Sequence, residues 1–254
     1  LGYTENINDK MYRSSKYYFR KKTDEVKERA TFVRSSYNVS KDFITLMKNK
    51  LDLILVIPVF NEEKIIKTVI KKWLIELKKI KFKIIIINDG STDNTQKIIQ
   101  SIVTNKIILL NKKNSGHGPS ITQGYKAALK LKPNHIFQVD SDDQFYASDF
   151  KKFWKYKKNY DFIIGHRSVR NDPFHRLVVT RILKILILSV FGLYVRDINV
   201  PYRLFQTKCL SHCMKFIENK NTIPNVLLSL IASKKFKCKT EIVRHKKRLT
   251  GKVV

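Results

Sequence analysis

Five apolar runs recur at residues 51–57, 82–87, 106–110, 135–139 and 161–165. Between them lie stretches with apolar residues at helical spacing, clearest at Ile65, Ile66, Val69, Ile70, Trp73, Leu74 and Leu77. The runs at 51–57 and 135–139 read as buried strands and the other three as strands. Strands alternating with helices predict an α/β chain of βαβ units, with right-handed crossovers and a mostly parallel sheet. Ligands of such sheets bind beyond the carboxyl ends of the strands. Polar clusters at residues 58–63, 88–93 and 140–144 all follow strands at that edge. Three unrelated surface turns need not share one edge, whereas parts of one site must.

The remaining elements follow the same reading. Helices are expected from Asn61-Glu62-Glu63 to about residue 80, then over 94–103, 121–131, 147–158, 208–219 and 224–233. Glu62 and Glu63 would then sit at the positive end of the first helix dipole. Residues 111–120 read as a polar loop, 197–201 as a turn into a short strand, and 236–245 as a last strand. Residues 1–50 read as a basic, helical N-terminal arm. Residues 181–194 are strongly apolar, flanked by Arg176, Arg181 and Arg196. They suit either a core helix or a helix lying in a membrane interface.

Charge narrows the partners. Fifty-one Lys+Arg against 21 Asp+Glu give a net charge of +30. Such a field favours nucleic acid, anionic head groups or phosphorylated substrates. Lys, Ile and Asn abound throughout, so part of the excess is surface filling. Cys209, Cys213 and Cys238 form no C-x-x-C pair, which argues against a disulfide framework and fits a reducing compartment. Cys209, His212 and Cys213 have no second ligand pair to complete a zinc site. Residues 1–30 lack an apolar core, and the apolar run at 182–195 includes Lys184 and falls short of the ~20 residues of a spanning helix. The expected location is cytoplasmic, peripheral to the cytoplasmic membrane face at most.

The acidic stretch Asp140-Ser141-Asp142-Asp143-Gln144 sets the chemistry. Three carboxylates within four residues repel one another unless a cation sits among them. Asp and Gln oxygens are hard ligands suited to Mg²⁺ or Mn²⁺, with a phosphorylated ligand sharing the ion. Alone, such a D-x-D is more often a solvated turn. Its place on a strand end beside two other site-like turns favours the metal.

These residues carry a resemblance. Ile57-Pro58-Val59-Phe60-Asn61-Glu62-Glu63, Asn88-Asp89-Gly90-Ser91-Thr92-Asp93 and Asp140-Ser141-Asp142-Asp143-Gln144 resemble the ordered motifs of family 2 glycosyltransferases. The nearest branch is the dolichol-phosphate-mannose-synthase-like one. Residues 197–204, the run Ile223-Pro224-Asn225, and His245-x-x-Arg248-x-x-Gly251 add to it. The resemblance covers about residues 51–251. It implies a GT-A (Rossmann-like) domain over 51–254, with a nucleotide-sugar half at 51–167 and an acceptor half at 168–254.

The resemblance also implies roles. Pro58, Phe60 and Glu62 would hold the nucleotide, and Asp89 would read the base. The family usually has two carboxylates at that turn, and Asn88 stands first here, so the contacting position stays open. Asp140, Asp142 and Gln144 would bind the metal and diphosphate. Asp143 stands where a hydrophobic residue is common and reads as solvated. Arg167 and Arg203 would help to neutralise the leaving diphosphate, or form structural ion pairs. Asp142, Asp197 and Arg203 are the catalytic candidates, with Asp197 either a general base or a turn-capping carboxylate. His166 and His245 read as structural or substrate-lining.

The implied activity is metal-dependent, inverting transfer of a sugar from a nucleoside-diphosphate sugar to a polyprenyl-phosphate or glycan acceptor, as in polysaccharide biosynthesis. Two other readings compete. A nucleotidyltransferase acting on a sugar phosphate would want a Gly-rich, basic loop after the first strand, which Val59-Phe60-Asn61-Glu62 lacks. A basic nucleic-acid-binding protein would carry a reader motif, and none is found.

Overall fold

The structure is a computed structural model and describes residues 50–167 and 197–247. The expectations for residues 1–49, for the apolar segment 181–194, and for Arg248 and Gly251 lie outside the described residues.

Strand β1 (Leu53–Val59) leads to helix α1 (Ile66–Glu76), then β2 (Phe82–Asp89), α2 (Thr95–Gln100), β3 (Ile107–Lys112), α3 (His117–Lys130) and β4 (His135–Val139). A single 3₁₀ turn (Ala147–Asp149) precedes α4 (Phe150–Lys155) and β5 (Phe162–Arg167). Beyond residue 196 come β6 (Tyr202–Gln206), α5 (Thr207–Cys213), α6 (Pro224–Lys235) and β7 (Cys238–Val243).

The seven strands form one sheet in the order β3-β2-β1-β4-β6-β5-β7. The expected mostly parallel sheet is present, with one antiparallel insertion. β6 runs against both β4 and β5, placing Arg203 opposite Gln138 and Ile164. β7 returns parallel to β5.

β1 extends through Pro58, which pairs with Ile87 of β2. β4 pairs with β1 only as far as Val56, so a residue without an N–H disturbs no ladder on that flank. Every residue of β1 is buried. Beneath the carboxyl end of β4, Trp73, Phe137, Phe150, Phe153 and Tyr202 form an aromatic floor, with Phe137 and Tyr202 edge-to-face at 4.7 Å. Helix α3 lies close on β1 and β2 because Gly124 has no side chain. A Cβ there would stand 2.5 Å from Val56 Cγ1 and 2.6 Å from Ile87 Cδ1.

Two helix starts differ from the sequence reading. α1 begins at Ile66 and carries no acidic residue in its first turn. Asn61 takes a left-handed backbone (φ 51°), and the Glu62 carbonyl accepts the N–H groups of Ile65 and Ile66. Glu62 and Glu63 therefore belong to the turn and not to the helix dipole. α3 begins at His117, because Gly116 at φ 95° turns the chain and its carbonyl accepts both the N–H and the hydroxyl of Ser120. Among the described residues no helix is long and apolar enough to cross a membrane.

Candidate active site

The strand order reverses between β1 and β4: β2 and β3 lie to one side of β1, and β4 opens the other side. The crevice above this switch point is where a doubly wound sheet binds its ligand. The turns after β1, β2 and β4 all meet this edge, as do Arg167, Asp197 and the segment after β7.

The first two turns are fastened together. Ser91 Oγ accepts the Asn61 N–H at 3.0 Å, and Asn61 Oδ1 accepts the Thr92 N–H at 2.8 Å. Thr95 Oγ1 accepts the Glu62 N–H at 2.9 Å. Asp93 and Glu63 exchange contacts in the same way, with Asp93 taking the Glu63 N–H and Glu63 the Asn94 N–H. Burial alone would raise the Asp93 carboxyl, but hydrogen bonds from Thr95 and Glu63 hold it below its ordinary pKa. Pro58 is buried in β1, Phe60 is half-buried, and Glu62 is 4% exposed.

Asn88 and Asp89 are both buried and both support the chain itself. Asn88 donates to Asn111 Oδ1 at 3.0 Å and accepts the Ser91 N–H at 3.2 Å. The Asp89 carboxylate accepts the N–H groups of Ser115 and Gly116, each at 2.9 Å, and pairs with Lys112. It thus organises the 112–116 loop. Gly90, at φ 69°, lets that loop approach: a Cβ there would lie 2.7 Å from the Asn114 nitrogen.

The acidic loop splits into two parts. Asp140 is half-buried, with His117 Nε2 3.4 Å from its Oδ1. Asp142 Oδ1 accepts the Gln144 N–H at 3.1 Å, which closes the turn. Asp143 is not solvated as the sequence suggested. Its Oδ2 receives Lys72 Nζ at 2.7 Å and Lys246 Nζ at 2.5 Å. Burial raises its carboxyl, but the two lysines outweigh that and hold its pKa below the ordinary value. Gln144 gives its side-chain amide to the Lys246 carbonyl at 3.1 Å.

The other candidates separate. Asp197 and Arg167 form a two-pronged ion pair, Nε to Oδ2 at 2.8 Å and Nη2 to Oδ1 at 3.0 Å, with the Asp197 carboxylate fully buried. Arg203 is 0% exposed and lies beneath the edge. Its guanidinium donates to the carbonyls of Ile198, Val200 and Asn225 and to Ser229 Oγ. Burial lowers its pKa, and neighbouring Tyr125, Asp140 and Asp197 oppose that. His166 is half-buried at the end of β5, and the His245 ring stands 5.0 Å from Phe145.

The donor set suits a hard divalent ion. Asp140 and Asp142 offer carboxylate oxygens two residues apart in one bend. Among the described residues no group of three or more His, Cys, Asp or Glu converges as a metal cage. Mg²⁺ and Mn²⁺ fit two protein carboxylates when waters and ligand phosphate oxygens complete the shell.

A sequence model of glycosyl transferase family 2 matches residues 54–217, which span all three motifs. This chain belongs to glycosyl transferase family 2. Family membership sets aside the nucleotidyltransferase and nucleic-acid readings. The chain is 33% identical over 177 residues to an uncharacterised protein of Methanocaldococcus jannaschii, covering 65% of this chain and 75% of that one. It is 29% identical over 187 residues to UDP-N-acetylglucosamine–dolichyl-phosphate N-acetylglucosaminyltransferase of Methanococcus voltae, covering 65% and 72%. It is 24% identical to undecaprenyl-phosphate 4-deoxy-4-formamido-L-arabinose transferase of Pectobacterium atrosepticum, covering 70% of this chain and 56% of that one. The chain therefore spans little more than half the length of some relatives. Glucosyl-3-phosphoglycerate synthase of Mycobacterium tuberculosis, solved with Mn²⁺, UDP and glucosyl-3-phosphoglycerate, superposes with TM-score 0.61 at 14% identity, covering 78% and 73%. That likeness gives the GT-A fold.

Sequence reasoning missed Lys112, His117, Lys72 and Lys246. Each is the partner of a buried or crowded carboxylate, 23 to 103 residues away along the chain. The carboxylates themselves were the only signal: each needed a counter-charge, and nothing local supplied it.

Proposed function

We propose that this family 2 member moves a sugar from a nucleoside-diphosphate sugar to a polyprenyl phosphate, with a divalent metal and inversion at the anomeric carbon. The observation that carries the acceptor class is the Arg167–Asp197 pair. An acceptor hydroxyl needs a general base, and Asp197, the sequence candidate, has both oxygens bound by Arg167. A phosphate acceptor arrives ionised and needs none. The relatives named for dolichyl- and undecaprenyl-phosphate acceptors support the same reading.

In this reading the turns after β1 and β2 form the floor for the nucleoside, with Pro58, Phe60 and Glu62 beside it. Asp89 acts through the 112–116 loop. Asp140 and Asp142 would hold the cation, and Gln144, committed to Lys246, would shape the loop. When bound, the ion supplies Lewis-acid neutralisation of the leaving diphosphate. An acceptor phosphate oxygen attacks the anomeric carbon as its bond to the diphosphate breaks, through an oxocarbenium-like state. Arg167 stays a positioning group for the edge, and the Asp197 carboxylate keeps its guanidinium oriented.

The test is transfer from UDP- and GDP-sugars to a short polyprenyl phosphate with Mn²⁺ or Mg²⁺. A lipid-linked sugar and a nucleoside diphosphate are expected. Asp142→Ala should lower the rate by roughly 100-fold or more. Equal transfer to the matching polyprenol would sink the phosphate-acceptor reading. Full activity of Asp142→Ala would sink the metal assignment.

A further inference from the structure

The acidic loop contains one carboxylate that the proposed chemistry does not use. Asp143 holds a left-handed backbone, φ 57°. Asp is among the few residues with a side chain that adopt this at small cost. Its Oδ2 is shared by Lys72, from α1, and Lys246, from the segment after β7. The pairing continues along both chains. The Gln144 carbonyl accepts the Lys246 N–H at 2.9 Å, and its side-chain amide returns to the Lys246 carbonyl. Phe145 and His245 then form an antiparallel bridge, their rings 5.0 Å apart. Three elements distant in sequence thus meet on one carboxylate.

We propose that Asp143 is a positioning residue: it fastens α1 and the segment after β7 to the acidic loop and thereby sets where Asp140 and Asp142 stand. This rests on the reading of Asp140 and Asp142 as the metal pair. The physical reason lies in charge as well as geometry. Three carboxylates in one turn repel each other, and the third disturbs a two-carboxylate metal site if it is left among them. Two ammonium groups draw Asp143 out of the group and neutralise it there. A hydrophobic residue could not serve both lysines, and glycine would accept the backbone but not the cations.

The experiment compares wild type, Asp143→Asn, Lys246→Met and the double variant. Asn keeps the left-handed tolerance and the volume and removes the charge. Lys246→Met keeps the stem, so it stands in should Asp143→Asn fold poorly. The first readout is hydrogen exchange of the metal-free protein. Peptides covering residues 142–146 and 243–247 should exchange about fivefold faster in either single variant, with β1 and β2 unchanged. The second readout is Mn²⁺ affinity in the presence of UDP. It should weaken by about threefold to tenfold. The double variant should be no worse than the worse single one, because both remove the same contact.

Unchanged exchange at 142–146 and 243–247 would overturn the latch. Faster exchange with unaltered Mn²⁺ affinity would overturn its positioning role and leave the proposed function standing. A wild type that binds neither Mn²⁺ nor UDP would overturn the proposed function and, with it, this inference. Additive effects in the double variant would show that the two side chains act apart, which also overturns it.

Discussion

Arg203 shows how burial changes the meaning of a charged residue. On an exposed strand end a guanidinium can meet a diphosphate. Inside the domain it fixes three carbonyls and a hydroxyl contributed by residues 198–229. Removing it strips the Val200 carbonyl of both guanidinium bonds and takes one bond each from the Ile198 and Asn225 carbonyls, which keep the Ser229 hydroxyl as a donor. A buried group left unsatisfied costs about 1–3 kcal/mol. Arg203→Met should therefore destabilise the fold by about 3 kcal/mol or more in urea titration. Its UDP affinity, measured on the folded fraction, should stay near wild type. A variant of native stability with lost turnover would return Arg203 to the chemistry. Asp89 is the same lesson with opposite charge: its carboxylate builds the 112–116 loop from within.

At the scale of elements, helix α3 links the sheet to the site edge through two glycines. Gly124 seats it on Val56 and Ile87, and Gly118 seats its first turn against the carbonyls of Asn221 and Thr222, 2.5 and 2.6 Å from where a Cβ would be. Gly124→Ala gains helix propensity of about 1 kcal/mol. It must also displace Val56, a stiff β-branched side chain in a fully buried strand, and overpacking costs about 1–3 kcal/mol. A net loss is expected, read as a lower melting temperature with an unaltered m-value. Gly118→Ala meets backbone, which cannot rotate away, so it should displace the 221–222 turn and cost more. A stabilised Gly118→Ala would refute this packing.

The same elements show what a sequence can reveal. Four of the five runs read as strands are largely buried and so carry a continuous apolar signature, whereas β3, at the sheet edge, is mostly half-buried and was legible from its apolar run alone. That the turns after β1, β2 and β4 share one edge was legible from the alternation of strands with helices. The turns were not legible, because their partners are remote. α1 starts late because Thr95 and Asp93, some thirty residues on, satisfy the Glu62 and Glu63 N–H groups. Asp143 read as solvated because Lys72 and Lys246 lie 71 and 103 residues away. The interior position of Arg203 depends on Asn225 and Ser229, which no local pattern joins to it.

The whole molecule carries a charge of +30, so its stability should depend on pH in two separable steps. His135 is the first. Burial beside Trp154 lowers its pKa from 6.5, with Lys157 and Asp52 backbone contacts opposing. A folded value below the unfolded one means that the unfolded chain binds the proton first. Stability is therefore complete above 6.5 and falls as pH drops from there towards the folded value. The carboxylates give the second step. Burial raises Asp149, but hydrogen bonds from Arg244 and Lys152 outweigh it and hold its pKa below 3.8. Its contribution is present above 3.8 and is lost as pH falls through the lower folded value. Protonation then leaves 51 Lys+Arg unopposed, and their repulsion adds to the loss. Urea midpoints across pH should thus show a shallow decline below 6.5 and a steep one below 3.8. His135→Asn should reduce the shallow step, to which His212 also contributes, and leave the steep one unchanged. Salt raised to about 0.2 M, where charges are screened beyond roughly 7 Å, should recover stability most in the steep region. If salt instead destabilised the acid form, lost ion pairs and not self-repulsion would govern that limb.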